Sequence, residues 1–363
     1  MRVVVDVTPL SHPRTGIGNY LRGLLGGLAP LDDIELVAFG PVGTGGKQNV
    51  ELALAGLDIE RRLRVVRGAH LWRTAWSRAG HLSVERFVGP FDVFHFSDWM
   101  YPPQRGGIRA TTIYDLVPLR FPEWVAARTR SMHTAKYRNA ASTCDVIVCI
   151  SHYTAHEVAE RLAVSPERLA VAYPGVDPRF SPEGTPAAGG RPYILSVSTL
   201  EPRKNLRALV DAFSVLRRRK PDVSLVIAGA EEGVEAAALQ GDGVELLGYV
   251  GNEELAGLYR GAAAFAYPSR FEGFGMPIVE AMASGTPVVA STDASLDEAS
   301  GTAALRVDPD VADAFALTLE RALDERDALV PAGIEHARGF TWEACGRAVA
   351  DAYRRALRDG GQP

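Results

Sequence analysis

Short apolar runs alternate with amphipathic stretches along most of this chain. Residues 2–7 are a β-branched apolar run that predicts a buried strand, and the segment "SHPRTGIGNY" leads into a predicted helix ending near Leu28. Further strand-like runs are "IELVAF", "LRVV", "FDVFHF", "ATTIYD", "VIVCI" and "LAVAY", with helical patterns over residues 125–141 and 153–162. Strands apolar on both faces and separated by helices predict a parallel sheet covered on both sides. Periodicity lapses over residues 174–192, "PGVDPRFSPEGTPAAGGRP", which reads as an interdomain linker. Alternation then resumes with "YILSVS", a helix over 205–219, "SLVIAG", "VELLGY" and a helix near 253–260. Helices over 309–325 and 341–358 close the chain.

The pattern predicts an α/β protein of two Rossmann-like, doubly wound domains facing a central cleft. Ligands of such sheets bind at the carboxyl ends of the strands. Residues 1–178 form the first domain, 179–340 the second, and 341–363 a C-terminal helix.

Within the second half, "AAFAYPSRFEGFGMPIVEAMASGTPVVAS" reads as strand, glycine-rich loop, helix from Met276 to Ser284, and strand. Pro277 suits a first helical turn, and Gly285 suits the stop. A helix N-terminus favours an anion. Glu272 and Glu280 would repel a phosphate, but they suit hydroxyl groups on either side of one. Phosphate between two polyols describes a nucleotide sugar. The alternative is an ordinary loop with a carboxylate complementing the helix dipole.

Composition narrows the class. The 363 residues are 47% hydrophobic and 23% charged, as expected of a globular protein. No apolar run approaches a membrane span, and Asp6 within the first run argues against a signal peptide. Cys144, Cys149 and Cys345 make no C-x-x-C and point to a reducing, cytoplasmic compartment. The net charge of −5 is uneven: residues 1–178 carry +3 and residues 179–363 carry −8.

"RTGIGNY" fails as a dinucleotide fingerprint, because Leu21 replaces the third glycine and "IELVAFG" ends without an acidic residue. Gly16 and Gly18 suit close backbone approach to a ligand or a plain turn. In "STLEPRKNL", Arg203 and Lys204 lie at the binding edge of the second domain, where they suit a diphosphate clamp. "SDW" and "DPD" read as turns, and no D-x-D metal motif stands at a strand end.

Together "RTGIGNY", "YDLVPLRFPE", "VCISHYTAHEV", "YPGVD", "STLEPRKNL", "GYVGNEELAGLY", "PSRFEGFGMPIVEAMASGTPVVAS" and "FTWEACGRAVADAYRRAL" resemble GT-B glycosyltransferases of the retaining family 4 type. The resemblance is nearest to bacterial polysaccharide and O-antigen mannosyltransferases. It implies retaining transfer of a sugar, with mannose from GDP-mannose expected, no cofactor, and the helix over 341–363 returning to the first domain; the absence of a D-x-D motif predicts metal independence. The acceptor would be a saccharide or lipid-linked saccharide in cell-surface polysaccharide or glycolipid synthesis. Glu280 would bind the donor ribose and Glu272 the sugar hydroxyls. Lys204 and Arg203 would hold the diphosphate, and the backbone of Phe274, Gly275 and Met276 the sugar and phosphate. Gly16, Gly18, Tyr114, Asp115, Thr199 and Val250 complete the implied site. The chain departs from the family in two places: Thr199 stands where an arginine is common, and Tyr114 where a histidine precedes Asp115. A nucleotide-sugar epimerase and a non-catalytic nucleotide-sugar-binding protein are the competing classes.

Residues 61–86 hold seven arginines against one acid, Glu85, with Trp72 and Trp76 four apart on one helix face. Arg128, Arg130, Lys136 and Arg138 add a second basic patch. Arg73, Trp72, Trp76 and Arg128 are the candidate residues for an acceptor or for weak contact with an anionic inner membrane face. The alternative is core tryptophans beneath a solvated basic surface. No nucleic-acid module accompanies the charge.

Overall fold

The computed structural model describes residues 1–12, 16–79, 81–97, 100–187, 191–229 and 239–360. The chain forms two compact units, one of Met1–Gly175 with the segment from Thr341 onward, the other Val176–Phe340.

In the first unit the strands are β1 (Arg2–Asp6), β2 (Glu35–Val42), β3 (Glu60–Val65), β4 (Val93–Phe96), β5 (Ile108–Ile113), β6 (Val146–Cys149) and β7 (Leu169–Val171). They pair in the order β3-β2-β1-β4-β5-β6-β7, every neighbour parallel. Central strands read "VVVD" and "VFHF" because both faces are covered; β3 alternates Arg61, Arg62 and Arg64 with Leu63 because it is an edge. Arginines there discourage pairing with another chain.

The helix Trp342–Gly360 belongs to this unit. Gly27 and Gly346 let it cross the helix Gly16–Leu28 at backbone distance: a Cβ on Gly346 would lie 2.3 Å from the carbonyl carbon of Gly27. Val349 and Tyr353 are buried, and the Tyr353 hydroxyl meets His95 Nδ1 at 2.5 Å. Arg354 pairs with Asp33 at 2.7 Å.

The second unit holds β8 (Tyr193–Val197), β9 (Ser224–Ala228), β10 (Val244–Gly248), β11 (Ala264–Tyr267), β12 (Val288–Ser291) and β13 (Leu305–Val307). Their order is β10-β9-β8-β11-β12-β13, again all parallel. Strand order reverses about β8 and β11, so the loops after these two strands open side by side.

Two expectations need correction. Most of the segment read as a linker packs on the second unit: Phe180 is buried edge-on to Tyr259, and Ala187 N–H donates to Gly257 O at 2.8 Å. Helices Thr44–Ala53 and Arg326–Ala337 and strand β13 escaped the pattern reading. The second helix carries Pro331 in its interior, and β13 has three residues, too few for a period to show.

Candidate active site

The site in the second unit is built from the loops after β8 and β11. After β8 the chain makes a tight turn, Pro202–Lys204, and Asn205 takes a left-handed conformation (φ 54°) before the helix Leu206–Arg217. Asparagine tolerates that region better than most residues, and its Nδ2 donates to Asp310 Oδ1 at 3.1 Å. After β11 the loop ends at Gly275 (φ 104°), which caps the helix Met276–Ala283. A side chain there would be strained, and its Cβ would lie 2.9 Å from Leu296 Cδ2. Phe274 is buried against Phe340, so its side chain anchors the loop while its backbone continues to the helix N-terminus.

These turns deliver two cations to one carboxylate. Lys204 Nζ lies 2.6 Å from Glu272 Oε1, and Arg203 Nη1 lies 2.9 Å from Oε2. Tyr267 OH meets Glu272 Oε1 at 3.0 Å and Lys204 Nζ at 3.1 Å. Arg203 Nε donates to Glu201 Oε2 at 2.7 Å, and Glu201 Oε1 accepts from Thr199 Oγ1 at 2.7 Å. Glu272 N–H donates to Ser295 Oγ at 2.9 Å, and Arg270 N–H ties the two loops together through Arg203 O at 2.9 Å. Burial opposes charge on Glu272, but Lys204 and Arg203 outweigh it and bring its pKa down to about 2. Burial lowers the Lys204 pKa, and Glu272 holds against that loss.

Glu280 sits one helical turn inside the same element and is equally buried, yet it has no cation. Burial raises its pKa to about 7, the Tyr259 hydroxyl partly opposes the rise, and Asp177 adds to it. Tyr259 OH donates to Oε2 at 3.1 Å; Oε1 takes no hydrogen bond among the described residues.

The other predicted positions fall as follows. Thr199 and Val250 are half-buried on loops after β8 and β10, at the carboxyl edge with the charged cluster. Gly16 opens the helix Gly16–Leu28, and a Cβ there would meet nothing within 4 Å; Gly18 is buried two residues on. Arg14 and Thr15 of "RTGIGNY", and Asp98 and Trp99 of "SDW", lie outside the described residues. Tyr114 and Asp115 follow β5 at the carboxyl edge of the first sheet. Tyr114 packs edge-on against Tyr20 at 5.5 Å, with Lys136 Nζ 5.9 Å from its ring centre. Asp115 caps the next turn by accepting from Val117 N–H at 3.0 Å.

The basic, tryptophan-bearing helix Ala69–Ala79 requires correction. Trp76 is buried against Phe39 and Phe87, with its Nε1 donating to Leu82 O at 2.6 Å. Trp72 is half-buried 4.8 Å from it, and Arg73 is buried. Lys136 is buried too, donating to Thr112 O at 2.6 Å. Amphipathic spacing faced this helix inward, because Trp76 has a core to fill. Arg128 stays exposed, meeting His70 Nε2 at 2.8 Å.

Sequence reasoning missed Tyr267, Tyr259, Glu201 and Ser295. Tyr267 had a signal, since it ends β11 where strand ends carry ligands. Tyr259 had none, being one aromatic on an ordinary amphipathic helix. Among the described residues, no group of three or more His, Cys, Asp or Glu stands close enough to hold a metal ion. No described helix is long and apolar enough to cross a membrane, and all three cysteines are free and buried.

Two family models match the chain: Glycosyltransferase Family 4 over residues 14–180 and Glycosyl transferases group 1 over residues 179–336. The O-antigen chain mannosyltransferase B of Escherichia coli is 29% identical over 390 residues, spanning 98% of this chain and 100% of that protein. A D-inositol 3-phosphate glycosyltransferase of Salinispora tropica is 29% identical over 330 residues, 77% of this chain and 68% of that protein. Among solved structures, HepE of Anabaena in complex with UDP and glucose superposes with a TM-score of 0.71 at 15% identity, covering 97% and 99% of the two chains. WaaG, a glycosyltransferase involved in lipopolysaccharide biosynthesis, gives 0.66 at 15% identity with full coverage of both. Two all-parallel sheets and this succession of a family 4 domain and a group 1 domain identify the chain as a glycosyltransferase of the GT-B fold.

Proposed function

We propose that the chain transfers mannose from GDP-mannose to a hydroxyl of a saccharide or lipid-linked saccharide, with retention of configuration, in cell-surface polysaccharide or glycolipid synthesis. The observation that carries the reading is the convergence of Lys204 and Arg203 on Glu272 at the carboxyl edge of the second sheet. A departing nucleoside diphosphate needs fixed positive charge, and two cations held by one carboxylate are already in place to supply it. The diphosphate competes with Glu272 for them, releasing Glu272 oxygens to accept from sugar hydroxyls. The N-terminus of helix Met276–Ala283 adds backbone donors from Gly275 and Met276. Glu280, with Oε1 open, accepts from the ribose hydroxyls. Thr199 and Val250, on the loops after β8 and β10, line the donor side of the second unit.

Chemically, the acceptor oxygen bonds to the anomeric carbon as that carbon's bond to the diphosphate oxygen breaks. The acceptor proton passes to the leaving phosphate on the same face. No side chain need attack, and the paired cations fill the role a metal would otherwise take. The Escherichia coli relative's mannosyltransferase name supports the choice of sugar.

Donor choice is tested with GDP-, UDP-, ADP- and dTDP-sugars, first by thermal shift and then by product analysis with and without a mannan acceptor. GDP-mannose should raise the melting temperature and release GDP only when acceptor is present. Conversion of the sugar nucleotide to an epimer without acceptor would replace this reading with epimerisation. We further propose weak contact with an anionic membrane face through exposed Val65 and Leu71 together with exposed Arg64, Arg67 and Arg128. Flotation with anionic vesicles should show binding at low salt that high salt abolishes; no binding at low salt removes it.

A further inference from the structure

The first unit carries a polar cavity to which the proposed transfer assigns no residue. It has a volume of about 360 Å³ and lies between helix Ala69–Ala79, the loop after β4 and helix Ala127–Thr143. Arg78, Tyr101, Gln104, Arg109, Asn139 and Thr143 dominate its wall, and no aspartate or glutamate lines it. Arg109 is the second residue of β5 and Thr143 the last of the helix leading to β6. Both therefore mark the amino edge of the sheet, whereas Tyr114 and Asp115 lie at its carboxyl edge.

The wall presents donors. Arg109 is 9% exposed and is held by Pro102 O at 2.9 Å, Gln104 Oε1 at 3.2 Å and Asn139 Oδ1 at 3.4 Å, with Phe96 4.9 Å beneath it. All three of these partners are neutral. Asp145 accepts the backbone N–H of Arg109 at 2.7 Å and is not part of the wall. Arg78 is exposed and makes no hydrogen bond or ion pair among the described residues. The Asn139 amide nitrogen and the Tyr101 hydroxyl are likewise unbonded there. Two guanidinium groups without a carboxylate, an amide, a hydroxyl and an aromatic ring are the groups that recognise an oxyanion carried on a sugar ring.

From this geometry we infer that the cavity is a second saccharide site, binding a sugar unit that carries a phosphate or carboxylate. A glycan acceptor would be gripped there away from its reacting end, so the inference rests on the saccharide-acceptor reading above. The rival account is a structural Arg109 that only pins the loop after β4.

The test is equilibrium binding of mannose 6-phosphate, glucuronate, inorganic phosphate and mannose to the full chain, with Arg78→Gln and Asn139→Asp as variants. Arg78 is exposed, so its glutamine variant keeps the fold, and Asn139→Asp sets a carboxylate against Arg109. The two acidic sugars should bind more tightly than phosphate or mannose, and each variant should weaken them about tenfold or more. Whichever acidic sugar binds better identifies the phosphate or the carboxylate as the source of the charge. Absence of binding up to about 10 mM, or binding unchanged in both variants, overturns the site. Sugar transfer without acidic-sugar binding removes this inference alone. Variant-sensitive binding without transfer from any nucleotide sugar leaves the cavity a saccharide site and removes the acceptor reading.

Discussion

Glu272 and Glu280 lie eight residues apart in one loop-helix segment and are equally buried, yet they carry opposite charge behaviour. Two cations and a tyrosine hydroxyl surround Glu272 and keep it ionised to about pH 2. One tyrosine hydroxyl faces Glu280, and burial keeps it protonated until about pH 7. The difference teaches that burial alone assigns no role to a carboxylate; its neighbours do. Glu272 is a fixed negative charge paired with Lys204 and Arg203. Glu280 gains its charge only near neutrality, and in the proposed donor complex it would accept from ribose hydroxyls.

The largest expected effect breaks the Glu272 side. Lys204→Ala should lower kcat by about 100-fold or more with a smaller change in donor KM, because leaving-group charge develops only in the transition state. Turnover equal to wild type, with the fold intact by circular dichroism, would remove Lys204 from the clamp. Next comes Glu280→Ala, which should weaken donor binding about tenfold while leaving kcat at saturating donor within about threefold, since ribose contacts are made equally in ground and transition states. A selective loss of kcat would give Glu280 a chemical role instead.

Proton release sharpens the contrast. Ribose hydroxyls favour the ionised form of Glu280, so GDP binding near pH 6 should release a fraction of a proton. Calorimetry in buffers of different ionisation enthalpy measures it. Release that persists in Glu280→Gln would place the titrating group elsewhere. The smallest effects come from the tyrosines. Tyr259→Phe removes the one hydrogen bond among the described residues that lowers the Glu280 pKa and should move it further up, whereas Tyr267→Phe leaves both cations on Glu272 and should barely change its pKa.

Much of this was legible in the sequence. The strand-loop-helix over 263–284 could be read from Pro277, Gly285 and the apolar run, and both glutamates fell where that reading put them. Partnerships across the sheet were not legible. Nothing in "STLEPRKNL" says that Arg203 and Lys204 meet a residue 69 and 68 positions away, because β8 and β11 become neighbours only through the sheet order. Spacing also cannot tell which way an amphipathic helix faces. Trp72 and Trp76 do share a face as their spacing requires, but that face covers Phe39 and Phe87. Arg73 and Lys136 show the same limit, since a basic residue is read as exposed until a neighbouring carbonyl or ring is seen beside it.

Thermal unfolding of Glu272→Gln and Glu280→Gln across pH tests the central contrast most directly. Glu280 has a folded pKa above its unfolded value near 4.5, so it costs stability progressively as pH rises from about 4.5 to about 7. Glu272 has a folded pKa below that value, so it contributes stability above about 4.5 that is lost as pH falls toward about 2. Each shift corresponds to about 3 kcal/mol, of opposite sign. At pH 8 the account predicts that Glu272→Gln melts below wild type and Glu280→Gln above it, with the Glu280→Gln gain shrinking toward pH 5. Two variants that shift the same way at pH 8, or a Glu280→Gln difference that does not change between pH 5 and pH 8, would contradict it.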